Sequence, residues 1–253
     1  MYYRLFLKLS IVFLILFIII SPINAVQYDP PWAHNYDFLY DDDMDTRPTA
    51  SNASYIQGII GYNNYSISNS DAGTAYINMN NDSIFFFNGH GMIFDDNNCG
   101  GGLPFYNGTY SLLLAEYTQW LPPYDAYFLS NITNELDDVL LAVYVSCHSG
   151  STSWEAGNLV DMSTDKGVDN VIGFTGNITN IHSDYWANRF WIRCLNGGPL
   201  GNPQKIHDAA ISAKTDVLFK YQTYGGVDSL YGHYRNIYGY PIDYLNPARY
   251  GVS

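Results

Sequence analysis

Two reactive side chains in this chain each come directly after an apolar run that ends in small residues. His90 stands between two glycines after the run Ser83–Asn88, and Cys147 follows closely on the run Val139–Val145. A thiol attacks a carbonyl carbon once it is deprotonated, and an imidazole can take up or deliver a proton near neutral pH. The pair is therefore the first candidate for nucleophilic catalysis.

The elements that must position this pair are two buried strands. A run that is apolar on both faces is typical of an interior strand of a parallel sheet, and functional groups gather at the carboxyl ends of such strands. If the two strands are neighbours, His90 and Cys147 emerge at one edge, although they are 57 positions apart (147 minus 90). Backbone N–H groups at Gly91 and Ser146 are then the predicted oxyanion or substrate-binding groups.

The wider pattern alternates strands with helices, which indicates an α/β fold with a mostly parallel central sheet flanked by helices. The hairpin signal is Asn107-Gly108, and the last thirty residues are expected to add a strand or cover a sheet edge. Predicted helices are 50–60, 72–79, 131–137, 153–164, 183–195 and 203–221; predicted strands are 65–68, 83–88, 139–145 and 171–174, with the hairpin at 103–114.

The chain divides into three predicted parts. Residues 1–25 have a basic start, an apolar core and a small residue at the expected cleavage point, as in a secretory signal peptide. Residues 26–48 are predicted to be an irregular acidic arm, and residues 49–253 one domain. No segment after residue 25 is apolar enough to cross a membrane, so we expect a protein that is secreted or held at the cell surface.

Charge and composition narrow the partners. The net charge of −13 becomes −15 when Arg4 and Lys8 leave with the leader, and such a surface disfavours nucleic acid. Six Asn-x-Ser/Thr sequons fit an exported glycoprotein; they begin at Asn52, Asn64, Asn81, Asn107, Asn131 and Asn177. We expect a monomer that requires no cofactor and has no metal in its site. Calcium could still support the fold at Asp41–Asp45, although a solvated arm is the better explanation of that run.

Other candidate residues carry less weight. His148 is a rival base beside Cys147, but adjacent residues at a turn point apart. A helix predicted soon after Cys147 would favour the thiolate through its N-terminus. Cys99 could pair with Cys194, which a helical core position also explains. Asp95 and Asp96 lie in a predicted loop and could line a specificity pocket. His182 and Asp184 precede a predicted helix, and helix capping explains them.

The two strand-end motifs carry a family resemblance. Phe85-Phe86-Phe87-Asn88-Gly89-His90-Gly91 and Val143-Tyr144-Val145-Ser146-Cys147 resemble the His-Gly and Cys motifs of the caspase-like cysteine peptidases, a superfamily that includes caspases, legumains, gingipains and clostripain. The resemblance is closest to secreted archaeal members and covers roughly residues 50–215. It implies a caspase-like three-layer sandwich, Cys147 as nucleophile, His90 as the catalytic histidine and Gly91 as an oxyanion donor.

The resemblance also implies a function, a cysteine endopeptidase that cleaves proteins or peptides outside the cell. The residues after the nucleophile, His148-Ser149-Gly150, depart from the caspase Arg-Gly pattern, so substrate preference does not carry over. An acidic, arginine-poor chain favours a basic P1 residue. The alternative is a catalytically inactive caspase-like domain that serves as a surface binding or adhesion module.

Overall fold

The structure is a computed structural model, and it describes residues 31–38, 45–94, 99–117, 124–133, 136–151, 157–234, 236–237, 240–241 and 244–245. For 92–94, 99–101, 199, 236–237 and 240–241 only the backbone is described. The predicted signal peptide, most of the Asp41–Asp45 run, and Asp95 with Asp96 lie outside these residues.

The strands in chain order are β1 (Trp32–Asp37), β2 (Asn63–Ile67), β3 (Asp82–Asn88), β4 (Met92–Phe94), β5 (Cys99–Tyr106), β6 (Tyr110–Leu114), β7 (Asp125–Phe128), β8 (Leu141–Val145), β9 (Asn170–Phe174), β10 (Leu230–Tyr234), β11 (Asn236–Ile237) and β12 (Tyr240–Pro241). The α-helices are α1 (Arg47–Ile60), α2 (Ala72–Met79), α3 (Leu159–Asp165), α4 (Asn180–Asn196) and α5 (Ile206–Tyr221). Short 3-10 turns occupy Leu129–Asn131, Pro199–Gly201 and Val227–Ser229.

Six strands form the central sheet in the spatial order β10-β9-β8-β3-β1-β2. All neighbours in this sheet run parallel except β10, which pairs antiparallel with β9. β4 to β7 form a second sheet, in which β5 and β6 are the hairpin predicted around Asn107-Gly108. Gly108 has a φ of 107°, a left-handed conformation that glycine adopts without steric cost.

Helices cover both faces of the central sheet because the strand residues alternate between faces. Phe86 packs with α1, α4 and α5 in one core cluster, in which Trp186, Phe190 and Trp191 are fully buried. Phe85 and Phe87 pack on the opposite face with α2, α3 and the β5–β6 hairpin. Burying each of these large side chains stabilises the fold by roughly 1.5–3 kcal/mol. The fold is thus the predicted three-layer α/β arrangement with a mostly parallel sheet.

One sheet strand contradicts the sequence analysis. The irregular arm predicted for 26–48 is wrong over Trp32–Asp37, since β1 lies in the sheet between β2 and β3. The polar side chains of β1 concealed this strand in the sequence, and each of them has a hydrogen-bond partner in the fold. Asn35 exchanges two amide hydrogen bonds with Gln57 of α1, at 2.7 and 2.8 Å, and His34 lies 2.6 Å from the Asp82 carboxylate.

Two predicted helices also differ from the structure. Over 131–137 the described residues form the end of a 3-10 turn, extended backbone and a turn, so the helix predicted there is wrong. The helix predicted at 153–164 begins at Leu159, where the Asn158 side chain caps it by accepting hydrogen bonds from the N–H groups of Val160 and Asp161. The other predicted helices are confirmed within a few residues. Among the described residues, no helix is long and apolar enough to span a membrane.

Candidate active site

The strands that precede His90 and Cys147 are neighbours. β3 and β8 pair in parallel, and the last pair in their register is Asn88 with Val145. His90 and Cys147 each lie two residues beyond this pair, so the two residues leave the same edge of the sheet at the same level. The two strands are therefore neighbours, as expected from the sequence.

Close packing holds the two strand-end turns together. The Gly89 N–H donates a hydrogen bond of 3.1 Å to the Val145 carbonyl oxygen. The Cα of Gly91 packs against the Cys147 carbonyl oxygen so tightly that an added Cβ would overlap it, and that Cβ would lie only 2.8 Å from Ser146 Oγ. No side chain other than the hydrogen of glycine fits at position 91, which is a reason for the glycine independent of any resemblance.

The turn that carries Cys147 is tied down by its own serine. Ser149 Oγ donates to the carbonyl oxygens of Tyr144 and Ser146 at 3.0 and 2.9 Å, and it accepts a hydrogen bond of 3.1 Å from the Phe174 N–H of β9. Ser149 is fully buried, and the Gly150 N–H reaches the Phe174 carbonyl oxygen. These hydrogen bonds hold the turn against β9. The helix described after the turn begins at Leu159, twelve residues beyond Cys147 (159 minus 147).

The Cys147 thiol is half-buried and lies on the β9 side of its strand. The Ile178 N–H donates a hydrogen bond of 3.3 Å to Sγ, and Sγ lies 3.5 Å from the Ile178 carbonyl oxygen. The Ile178 backbone thus presents a donor to the sulfur. Because β8 lies between β3 and β9, the thiol and the His90 turn flank the strand end from opposite sides.

His90 is exposed, and its ring stands edge-on to Phe38, with the ring centroids 5.8 Å apart. Asn88, the last residue of β3, anchors the turn that carries His90. Asn88 Nδ2 donates to Asp184 Oδ1 at 2.7 Å, and the same oxygen accepts from Thr49 Oγ1 at 3.1 Å. Burial raises the pKa of Asp184, while these two hydrogen bonds act in the opposite direction. Asp184, predicted as a helix-capping residue, instead joins α4 and α1 to the end of β3.

His148 is turned away from the thiol. It adopts a φ of 59°, in the left-handed region that residues other than glycine seldom occupy. Its Nδ1 lies 3.1 Å from the Thr175 carbonyl oxygen, and its Nε2 lies 3.0 Å from Asn177 Oδ1. Both nitrogens are therefore engaged with the loop after β9 rather than with the thiol.

Ser146 is fully buried, and among the described residues its Oγ has no hydrogen-bond partner. Its N–H donates to the Tyr144 carbonyl oxygen at 2.9 Å, so it is not the free backbone donor expected from the sequence. It lies beside Gly91, so the predicted oxyanion or substrate-binding positions share one spot between the two turns. An unpaired buried hydroxyl costs free energy unless a ligand or water satisfies it.

The remaining candidates fall elsewhere. Cys194 is a free thiol in the core, and burial raises its pKa, while the Cys99 side chain is outside the described part. His182 Nδ1 contacts Thr179 Oγ1 at 2.6 Å, and its ring packs on Tyr221. Of the run Asp41–Asp45, only Asp45 is described, and it pairs with Arg47. Across the described residues, no group of three or more His, Cys, Asp or Glu could hold a metal ion.

Sequence reasoning missed three residues at this edge, and each was hidden for a different reason. Phe38 lay in the supposed irregular arm. Asn88 looked like the last residue of an apolar strand, although an amide there is a signal, because a buried amide requires a partner. Ile178 acts through its backbone N–H, which no side-chain pattern reveals.

Comparisons with known proteins define the fold. No protein-family model and no curated protein matches this chain. Among solved structures, the chain is similar to the Arg-specific cysteine proteinase gingipain R, with a TM-score of 0.54 and 11% identity over 80% of this chain and 46% of that one. This chain thus spans less than half the length of that proteinase. The likeness confirms a caspase-like fold.

Two further solved structures are similar at lower TM-scores. One is the complex of the pro- and mature domains of RgpB from Porphyromonas gingivalis, with a TM-score of 0.49 and 12% identity over 79% of this chain and 46% of that one. The other is the separase–securin complex of Saccharomyces cerevisiae, with a TM-score of 0.44 and 12% identity over 81% of this chain and 12% of that one.

Proposed function

We propose that this protein is a cysteine endopeptidase in which Cys147 is the nucleophile and His90 transfers protons. The observation that carries the proposal is the shared register of the two turns, two residues beyond the Asn88–Val145 pair. Contact between Gly91 and the Cys147 backbone fixes their spacing. A fold similar to that of a cysteine proteinase agrees with this chemistry.

The reaction follows from the two sides of the strand end. As the Cys147 thiol attacks the carbonyl carbon of the scissile peptide, His90 takes up the thiol proton. The C–N bond then breaks as His90 delivers that proton to the leaving amine. Water then attacks the thioester, with His90 accepting its proton, and releases the acid product and the free thiol. A substrate carbonyl placed between the two turns would receive the nucleophile from the β9 side and the proton from the β3 side.

The developing oxyanion needs donors at the same spot. The Gly91 N–H and the Ser146 position, with its unpartnered buried hydroxyl, are the groups we assign to it. Preorganised donors of this kind typically contribute 10²–10³-fold to the rate. Neither group requires a metal or an organic cofactor, and the substrate is a protein or peptide rather than a nucleic acid.

The substrate preference we propose is a basic P1 residue. A net charge of −13 attracts cationic peptides, and the structurally similar gingipain R is described as Arg-specific. Cleavage rates of matched peptides that differ only in Arg or Asp at P1 test this directly. Faster cleavage after Asp would contradict the proposed preference without touching the proposed nucleophile.

We place this activity outside the cell, in a monomeric protein released or displayed by the N-terminal signal of residues 1–25. The sequons support that setting, since four of them begin at exposed positions, Asn81, Asn107, Asn131 and Asn177. Mass determination of protein recovered from the natural host would show the start near Val26 and any glycans. A mass that retains residues 1–25 would contradict cleavage of the signal.

The test of the function uses a peptide library with the wild type, Cys147→Ala and His90→Ala. Wild type should cleave, and each variant should lose at least 10³-fold in kcat/KM, since nucleophile and proton carrier act as one unit. Cys194→Ala is the matched control, because that thiol is buried and remote in the fold. Cleavage that survives Cys147→Ala would refute Cys147 as the nucleophile, and a wild type inert to every peptide would favour the surface binding module instead.

A further inference from the structure

The turn that carries Cys147 is joined to the loop after β9 by the residue next to the nucleophile. His148 makes three contacts with residues 175–177: its N–H donates to the Gly176 carbonyl oxygen at 3.1 Å, its Nδ1–H donates to the Thr175 carbonyl oxygen at 3.1 Å, and Nε2 faces Asn177 Oδ1 at 3.0 Å. Both ring nitrogens therefore face oxygen atoms of this loop.

The same loop supplies the only described polar contacts of the thiol. Ile178 follows Asn177 directly, and its N–H donates to Cys147 Sγ at 3.3 Å. The loop is also bonded to the 3-10 turn before β10, since the Thr175 N–H donates to the Ser229 carbonyl oxygen at 2.9 Å. Any shift of residues 175–178 relative to the Cys147 turn would therefore move a hydrogen-bond donor away from sulfur.

The backbone of His148 is strained in order to make these contacts. A non-glycine residue seldom occupies the left-handed region, and such conformations persist where the surroundings impose them. A glycine at position 148 would adopt this conformation without strain, but it has no ring that could contact Thr175 and Asn177. The strained conformation and the two ring contacts are thus one arrangement.

We propose that His148 is a positioning residue: its ring fastens the Cys147 turn to residues 175–178 and so holds the Ile178 N–H against the nucleophilic sulfur. The inference rests on the proposed function in taking Cys147 as the nucleophile. It assigns His148 no proton transfer, because both ring nitrogens are engaged away from the thiol.

Thiol alkylation tests this assignment without requiring peptide cleavage. The rate of Cys147 modification by iodoacetamide is measured from pH 4 to 10, with peptide mapping to separate Cys147 from the other cysteines, on full-length protein from a host that does not glycosylate. The variants are His148→Asn, which tolerates the left-handed backbone, Asn177→Ala and their combination. The matched control is His207→Asn, on the distant end of α5.

His148→Asn should move the pH of half-maximal alkylation upward by about one unit and slow the reaction near neutral pH by about tenfold, the effect of one lost hydrogen bond to a charged group. Asn177→Ala should shift the midpoint in the same direction by less. The double variant should shift the midpoint no further than His148→Asn alone, because Asn177→Ala removes the partner of a ring contact that His148→Asn has already broken.

A midpoint in His148→Asn that equals those of wild type and His207→Asn would overturn the proposal, as would shifts that simply add in the double variant. If His148→Asn fails to fold, Asn177→Ala decides, since Asn177 is exposed: an unchanged midpoint there overturns the assignment. A wild type that alkylates as expected but cleaves no peptide would refute the proposed function and leave the assignment of His148 intact.

Discussion

At the scale of single residues, the site depends on a glycine as much as on its reactive side chains. Gly91 lets the His90 turn and the Cys147 turn approach until Cα and carbonyl oxygen touch. Any larger residue must push the two turns apart, and reacting groups displaced by about 1 Å can lose 10²-fold in rate. Spacing between the turns is therefore as much a part of the chemistry as the thiol and the imidazole.

Gly91→Ala should reduce kcat/KM by at least 10²-fold and lower the midpoint of thermal unfolding, because the added Cβ overlaps a backbone atom that cannot move cheaply. Gly108→Ala is the control, since Gly108 has open space around it, and the strain of a side chain at its left-handed φ should cost about 1–2 kcal/mol of stability. Equal activity in both variants would show that close approach at Gly91 is unimportant.

At the scale of elements, the position of His90 is set by helices as well as by strands. Asp184 on α4 accepts hydrogen bonds from Asn88 at the end of β3 and from Thr49 on α1. The sequence predicted β3, β8 and α4, because apolar runs and helical spacing dominate buried elements. It could not predict this junction, since the pairing of an amide with a carboxylate 96 positions away depends on how the helices pack.

Asp184→Ala should cost about 1–3 kcal/mol in the free energy of unfolding by urea, because it leaves two buried donors without their acceptor. It should also lower kcat more than it raises KM, since the His90 turn loses its anchor. Asp184→Asn retains an acceptor oxygen and should restore most of both. If Asn behaves as Ala does, the carboxylate acts through its charge rather than as an acceptor.

At the scale of the whole molecule, the proposed catalytic turns and a titratable pair that affects stability lie at different ends of the sheet. The reactive turns lie at the carboxyl edge, whereas the buried pair of Asp82 and His34 lies at the start of β3. Burial raises the pKa of Asp82 to about 6, against the hydrogen bond and the charge of His34. Sequence patterns predicted the sheet but not β1, because His34 and Asp37 look like surface residues until their partners are known.

The Asp82 carboxyl should make stability depend on pH. Its folded pKa lies above the unfolded value of 3.8, so the folded state holds the proton more tightly, and stability is lost as pH rises from about 4 to about 6. The loss approaches roughly 3 kcal/mol relative to Asp82→Asn, in which no proton is exchanged at this position. Urea unfolding of both proteins at several pH values measures it; parallel pH profiles would contradict the assignment.

The central claim is that His90 and Cys147 form one site between two turns. A crystal structure of the protein treated with a peptidyl ketone inhibitor tests it most directly. We predict a covalent bond from Cys147 Sγ to the ketone carbon, its oxygen within hydrogen-bond distance of the Gly91 N–H, and the His90 ring facing the leaving-group side. An adduct on another cysteine, or a His90 ring directed away from the bound peptide, would contradict the account.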